Sequence, residues 1–222
     1  MSDSPASNPN DPGTTGVWTQ KRRLAAAMRL VIERLITTEA PEDELRIAAD
    51  RLERYAEHLQ THPRQFITWG TPEASTAGTV GGFFDLSPLM GQANPIAPPL
   101  TLWVDGDVVR GTGTFGWAYQ GPPGHLHGGF VAATFDEALG LAQSMTGQPG
   151  MTGTLTVRYR RPTPLYTELR LEATVQRVEG RKIFTTARLF AGDTLTAEAE
   201  AIFISVSLTA MQTSMRTPEN EP

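Results

Sequence analysis

The chain has 222 residues, a formal net charge of −5 and no cysteine. The missing cysteine excludes disulfides, cysteine nucleophiles and cysteine-ligated zinc, and the mildly acidic charge gives no general affinity for nucleic acid. No segment reaches the roughly 20 consecutive apolar residues that a membrane helix needs. Residues 1–16 have neither the basic region nor the apolar run of a signal peptide, so we expect a cytoplasmic protein that begins with a disordered tail.

Two amphipathic helices are predicted in residues 17–60. Apolar residues recur there at spacings of three and four, which puts them on one side of each helix. They are Leu24, Met28, Val31 and Leu35 in the first helix and Leu45, Ala48, Leu52, Tyr55 and Leu59 in the second. Pro41 suits the first turn of the second helix. The pattern predicts a helical hairpin whose apolar stripe packs on the rest of the chain or on another subunit.

Residues 61–98 form a connecting segment that is rich in proline and glycine and has no sustained periodicity. Long connections of this kind within compact proteins often carry function. The piece 82–90 is unusually apolar for a linker, and we expect it to lie against the body of the protein. At the far end of the chain, residues 209–222 are expected to form a second disordered tail.

Residues 99–208 contain six segments typical of strands, with one helical segment between the second and the third. The predicted strands are residues 100–104, 108–117, 152–160, 167–178, 182–190 and 194–207, and the predicted helix is residues 127–144. The helix is apolar on more than one face, as buried helices are. The order β-β-α-β-β-β-β predicts an α+β domain in which an antiparallel sheet wraps around one central helix.

The start of the central helix is suited to binding a carbonyl oxygen. The first N–H groups of a helix lack intrahelical partners, and Gly128 and Gly129 would let a substrate come close to them. This arrangement could form an oxyanion hole, although a Gly-Gly pair before a helix is also a common tight turn. Further along the helix, Asp136 and Glu137 interrupt an apolar run, and a buried carboxylate is costly unless it is paired or functional. The pattern alone does not choose between the two.

The spacing between these groups has a consequence for assembly. Gly129 and Asp136 are seven residues apart, which is roughly 10 Å along a helix. Reacting atoms must come within about 3.5 Å, so one chain cannot easily bring both groups to the same carbonyl carbon. Two helices that run antiparallel across a two-fold axis would bring Gly129 of one chain near Asp136 of the other. We therefore predict an obligate homodimer, or a dimer of dimers, with two shared sites.

Four groups of residues together resemble the hotdog-fold acyl-CoA thioesterases. They are Gly-Pro-Pro-Gly-His-Leu-His-Gly-Gly at 121–129, Asp-Glu-Ala-Leu-Gly at 136–140, Met-Thr at 151–152 and Tyr-Arg-Arg-Pro at 159–162. The nearest types are the phenylacetate-pathway thioesterases and the mammalian thioesterase-superfamily proteins that hydrolyse longer acyl-CoAs. Val-Glu-Gly-Arg-Lys at 178–182 resembles the latter group. The resemblance covers roughly residues 99–207 and implies the hotdog fold and thioester hydrolysis without a metal or redox cofactor.

The resemblance also implies roles for individual residues. The N–H of Gly129 would hold the thioester oxygen, with Gly128 beside it. Asp136, rather than Glu137, would be the general base or nucleophile. Thr152 would orient the attacking water, and His127 would lie near the thioester as a hydrogen-bonding group.

A basic stretch is expected to contact coenzyme A. Residues 158–188 hold eight Arg or Lys and three Glu, so this part of an acidic protein could receive an anionic ligand or could be a set of solvated strand faces. The family's coenzyme A contacts fall in the same regions. The candidates are Arg158, Arg160, Arg161, Gly180, Arg181 and Lys182. Strand alternation puts Thr152, Arg158 and Arg160 on one face.

Two alternatives stay open at this level. An enoyl-CoA hydratase or acyl-carrier-protein dehydratase has the same fold, but it pairs an Asp and a His close in sequence, whereas His127 and Asp136 are nine residues apart. A non-catalytic acyl-CoA-binding protein is the other. The acyl chain length is not indicated, although the apolar residues Phe83, Phe84, Leu86 and Leu89 suggest a lid over a medium or long chain.

Overall fold

A computed structural model of the chain describes residues 16–63 and 85–206. The tail predicted at 209–222, almost all of the tail predicted at 1–16, and Phe83 and Phe84 of the suggested lid lie outside the described residues. Within the two described ranges, no helix combines the length and the apolar character needed to cross a membrane.

The six strands predicted between residues 99 and 208 are present and form one antiparallel sheet. Its strands are β1 (Leu100–Asp105), β2 (Val108–Gly113), β3 (Gly150–Tyr159), β4 (Leu169–Glu179), β5 (Lys182–Ala191) and β6 (Thr194–Ser205). They lie in the order β1-β2-β4-β5-β6-β3, so β1 and β3 are the two edge strands. Gly106, Gly180 and Gly192 have positive φ at the three hairpin turns, a conformation that glycine adopts without steric cost.

The central helix lies on the inner face of this sheet. We number it α3; it spans Gly128–Ser144, close to its predicted bounds. Phe135, Ala138 and Leu139 are fully buried against the strands, because the helix is apolar on the side that the sheet covers. Together with the antiparallel sheet, this helix confirms the predicted α+β hotdog architecture.

The second strand is shorter than the sequence predicted. It was expected to reach residue 117 but ends at Gly113. Gly113 pairs with Leu100 on one side and with Leu169 on the other, and these are the first residues of the two neighbouring strands. Because neither β1 nor β4 extends beyond this point, the chain leaves the sheet and forms a short 3-10 helix at Trp117–Tyr119.

The two predicted N-terminal helices are present, as α1 (Val17–Leu35) and α2 (Glu42–Gln60). Pro41 is the N-cap residue of α2 rather than a residue of its first turn. No residue of α2 is buried, and Ala25 is the one buried residue of α1. The apolar stripes that were expected to pack are therefore largely exposed in the single chain, including Val31, Leu35 and Leu52 at 47%, 58% and 52%.

Helix α1 contacts the domain through polar side chains at spacings of four and seven residues. Arg22 donates from Nε to both carboxylate oxygens of the buried Asp85 at 3.0 Å. Arg29 donates to the carbonyl oxygen of Asn94 at 2.8 Å. Glu33 accepts from the backbone N–H groups of Trp117 and Ala118 and from the hydroxyl of Tyr166. Hydrogen bonds and an ion pair, more than apolar packing, thus hold α1 on the domain.

The contact at Glu33 should depend on pH. Burial alone would raise the pKa of Glu33, but hydrogen bonds from the Tyr166 hydroxyl and from the N–H groups of Ala118 and Trp117 lower it overall. Because the pKa is lowered in the folded state, this contribution to docking is complete above the ordinary pKa of glutamate. It is lost as the pH falls through the lowered value.

We expect Glu33→Gln to loosen α1 even at neutral pH, because the amide turns a donor towards one of the two backbone N–H groups. Hydrogen exchange at Trp117 and Ala118 should become about tenfold faster. Glu39→Gln, in the exposed link between the helices, is the control. Unchanged exchange at both amides in the Glu33→Gln variant would contradict the anchoring role.

Candidate active site

The entry to α3 is built from a tight loop. The backbone N–H of Leu126 donates to Thr163 O at 2.8 Å, and that of His127 donates to Tyr119 O at 2.9 Å. The loop passes so close to itself that a Cβ atom on Gly121 would lie 2.8 Å from the Cα atom of His127. Only glycine fits there, so the glycine of this motif fixes the position of His127 at the helix start.

His127 is the N-cap residue of α3, and its side chain already has a partner. Its Nδ1 accepts the hydrogen bond from the N–H of Gly129 at 2.9 Å. A neutral ring that accepts at Nδ1 carries its proton on Nε2. His127 and Gly129 are both exposed, so the imidazole can rotate away when another acceptor approaches the N–H. The N–H of Gly129, which the sequence suggested as an oxyanion donor, is thus exposed and is capped by the neighbouring histidine.

Asp136 lies two turns further along α3 and faces the edge strand β3. The hydroxyl of Thr152 donates to Asp136 Oδ1 at 2.9 Å. Asp136 is half-buried and Thr152 is exposed, so solvent can reach the pair. Two residues singled out separately in the sequence are therefore brought together within one chain.

Thr152 reaches Asp136 because β3 contains a bulge. The strand register shifts between Thr152 and Thr154, at Gly153. Thr152 pairs with the buried Phe203, whereas Arg158 pairs with Glu198 on the opposite face. The expectation that Thr152 and Arg158 share a face was wrong, because the extra residue reverses the alternation along the strand.

Glu137 faces a different part of the protein. The hydroxyl of the buried Ser87 donates to Glu137 Oε1 at 2.9 Å. The two adjacent carboxylates therefore diverge: Asp136 is directed to β3 and Glu137 to the connecting segment before β1. This is the divergence that helical geometry requires of neighbouring residues.

Some of the basic residues expected to contact coenzyme A already form ion pairs with carboxylates of the protein, and others do not. Arg158 donates to Glu200 at 2.5 Å, and Arg160 forms an ion pair with Glu198. The hydrogen bond to Glu200 raises the pKa of Arg158. Arg181 donates from Nε to Ser205 O at 3.0 Å beside the turn at Gly180. Arg161 comes shortly after the end of β3, and Lys182 comes directly after that turn. Both side chains are exposed.

The sequence did not indicate every group near the site. Tyr159 donates its hydroxyl to the carbonyl oxygen of Gly128 at 2.8 Å and so links β3 to the helix start. Its place in the Tyr-Arg-Arg-Pro motif was the available signal. Tyr166 has φ of 53°, which is rare for a residue with a side chain, and its hydroxyl bonds Glu33 of α1. No local pattern relates two residues so far apart in the chain.

Comparisons with known proteins match this architecture. The sequence model of the family described as the thioesterase superfamily matches residues 123–205. Over 89 residues, the chain is 37% identical to acyl-coenzyme A thioesterase THEM4 of Xenopus laevis and 39% identical to that of Bos taurus. Each alignment covers 39% of this chain. The two alignments span 40% and 36% of the length of those proteins, so this chain matches only about two fifths of each.

One solved structure matches nearly the whole chain. It is a crystal structure described as a thioesterase superfamily protein, with 34% sequence identity and a TM-score of 0.76. The alignment covers 88% of this chain and 97% of that one. The likeness therefore extends well beyond residues 123–205.

Proposed function

The chain belongs to the thioesterase superfamily, and we propose that it hydrolyses the thioester bond of an acyl-coenzyme A. The observation that carries the proposal is the hydrogen bond from Thr152 to Asp136, on the helix that begins at Gly128. A helix start supplies N–H donors for a developing oxyanion. A half-buried, accessible carboxylate supplies a base or a nucleophile.

In the proposed reaction, the thioester oxygen takes the place of His127 Nδ1 at the N–H of Gly129. Asp136 of a second copy of the chain removes a proton from a water molecule that the Thr152 beside it helps to orient. The water oxygen bonds to the carbonyl carbon, the carbon–sulfur bond breaks, and the coenzyme A thiolate leaves and takes up a proton. In an alternative path, Asp136 attacks the carbon directly and water then cleaves the resulting anhydride. Neither path needs a metal or a redox cofactor.

We further propose that each site is shared by two subunits. Gly129 and Asp136 are roughly 10 Å apart along α3, too far to act on one carbonyl from within a chain. The edge strand β3 contacts both ends of this span of α3. Its Thr152 donates a hydrogen bond to Asp136, and its Tyr159 donates one to the carbonyl oxygen of Gly128. An edge strand has unpaired backbone groups that favour pairing with another chain. A second copy seated along β3 would bring its own helix start towards this chain's Asp136.

We propose that coenzyme A is bound by basic residues at the C-terminal end of β3 and at the start of β5. Arg161 and Lys182 are exposed and have no ion pair among the described residues, so they are the first candidates for its phosphates. Arg158 and Arg160 would have to exchange Glu200 and Glu198 for a phosphate. Bidentate arginine–phosphate bonds can favour that exchange.

The direct test is release of free thiol from acyl-CoAs of increasing chain length. We expect stoichiometric thiol and free acid from at least one saturated acyl-CoA. Crotonyl-CoA is the discriminating substrate: hydrolysis releases thiol, whereas hydration removes the enoyl absorbance and leaves the thioester intact. Tight binding without thiol release across the whole series would contradict hydrolysis and favour a binding protein.

A further inference from the structure

A groove lies between helix α1 and the first turn of α3. Its volume is about 510 Å³, within the range of roughly 300–1,000 Å³ typical of small-ligand sites. Its lining is mainly apolar and includes Leu30 and Ile32 of α1, Ile96 and Pro99 of the connecting segment, and Tyr119 and Phe130 of the domain. The groove is thus closed on one side by residues outside the region matched by the thioesterase family model.

The wall of the groove includes Phe130, a direct neighbour of the proposed reaction centre. Phe130 lines the groove and follows Gly129 directly in the first turn of α3. Its ring contacts Tyr119 edge-to-face with centroids 4.9 Å apart, and its centroid is 6.5 Å from that of His127. A chain attached to a carbonyl at Gly129 can therefore enter the groove beside Phe130.

The charged groups in the groove wall are already occupied. Arg29 donates to the carbonyl oxygens of Asn94 and Gln92, and Glu33 accepts from Trp117 and Ala118. These bonds are made within the protein, so a ligand in the groove meets mostly apolar surface. Burying apolar ligand surface there is favourable at roughly 25 cal/mol per Å². A hydrocarbon chain fits this chemistry, and a polar head group does not.

We propose that this groove holds the acyl chain of the substrate and that helix α1, as its outer wall, limits the chain length that is accepted. The proposal rests on the proposed thioesterase function. It assigns acyl selectivity to a helix that approaches the domain through Arg22, Arg29 and Glu33 and lies outside the hotdog domain itself.

The test narrows the groove in the full-length protein. Ala26 of α1 and Ala118 of the short 3-10 helix both line it, so Ala26→Phe and Ala118→Phe should each fill part of it. We expect each variant to lower the ratio of kcat/KM for long over short acyl-CoAs by about tenfold or more, with short-chain hydrolysis retained. Ala27→Phe is the matched control, because Ala27 is exposed on the same helix but does not line the groove.

A second measurement separates this proposal from the proposed function. Calorimetric binding of decanoate should be detected for the wild-type protein and the Ala27→Phe variant and be lost in Ala26→Phe and Ala118→Phe. Hydrolysis with an unchanged chain-length ratio in both folded variants would overturn the groove and leave the thioesterase proposal intact. Decanoate binding with this pattern but no hydrolysis would support the groove and overturn the thioesterase. If the wild-type protein neither binds decanoate nor hydrolyses any acyl-CoA, both proposals are overturned.

Discussion

Replacing Asp136 by asparagine should lower kcat for acyl-CoA hydrolysis by about two to four orders of magnitude, the usual contribution of a general base. The amide has the size of the carboxylate, and its oxygen can still accept the hydrogen bond from Thr152. It cannot take a proton from water or attack the thioester. The fold should be unchanged, because the substitution keeps the size of the side chain and the hydrogen bond from Thr152.

Glu137→Gln is the matched control for this prediction. It makes the same chemical change one residue along the same helix, where the side chain accepts from Ser87 and faces away from β3. The amide oxygen can still accept that bond, so activity should remain within about twofold. Equal losses in both variants would mean that the charge of this helix matters and not a specific carboxylate. Near-normal hydrolysis by Asp136→Asn would remove Asp136 from the mechanism.

The fold could be predicted largely from local patterns. Alternating side chains, glycine at the turns and a helix apolar on several faces are each set by neighbouring residues, and together they determine the order and the antiparallel sheet. The end of β2 was missed because it depends on its neighbours: Gly113 is the last residue that has partners in both β1 and β4. Such an end is not encoded in the strand's own sequence.

For the candidate site, sequence reasoning selected residues that the structure brings together, but it did not predict all of their positions. Motif resemblance identified Asp136 and Thr152, yet strand alternation put Thr152 on the wrong face. Gly153 was the available signal, since glycine inside a strand often marks a bulge. The capping of Gly129 by His127 could not be predicted, because the histidine can adopt several side-chain conformations at a helix start.

Helix α1 deviates from the usual rule for amphipathic helices. That rule assigns the apolar stripe to the core, but the side of α1 that meets the domain carries Arg22, Arg29 and Glu33. Their partners are up to 133 residues away in the chain, so no periodic pattern relates them. Long-range polar contacts of this kind become visible only once the domain has folded.

Two inactive variants should restore each other's activity if the site is shared between subunits. One is Asp136→Asn, which lacks the carboxylate. The other is Gly129→Pro, which lacks the proposed oxyanion N–H and should lower kcat by about two to three orders of magnitude. Proline is tolerated in the first turn of a helix, where the N–H has no helical partner. Losing the bond to His127 should cost about 1 kcal/mol, so a melting curve must accompany the assay.

Co-expression of the two variants in equal amounts tests the arrangement directly. If subunits pair at random, about half of the dimers are mixed. In each mixed dimer, one site receives Gly129 from the first chain and Asp136 from the second and is intact, while the other site lacks both groups. About a quarter of the wild-type activity should therefore return. If each site lay within one chain, no activity would return, because every chain carries a defect. The recovered fraction therefore distinguishes a shared site from an internal one, even though each variant is inactive alone.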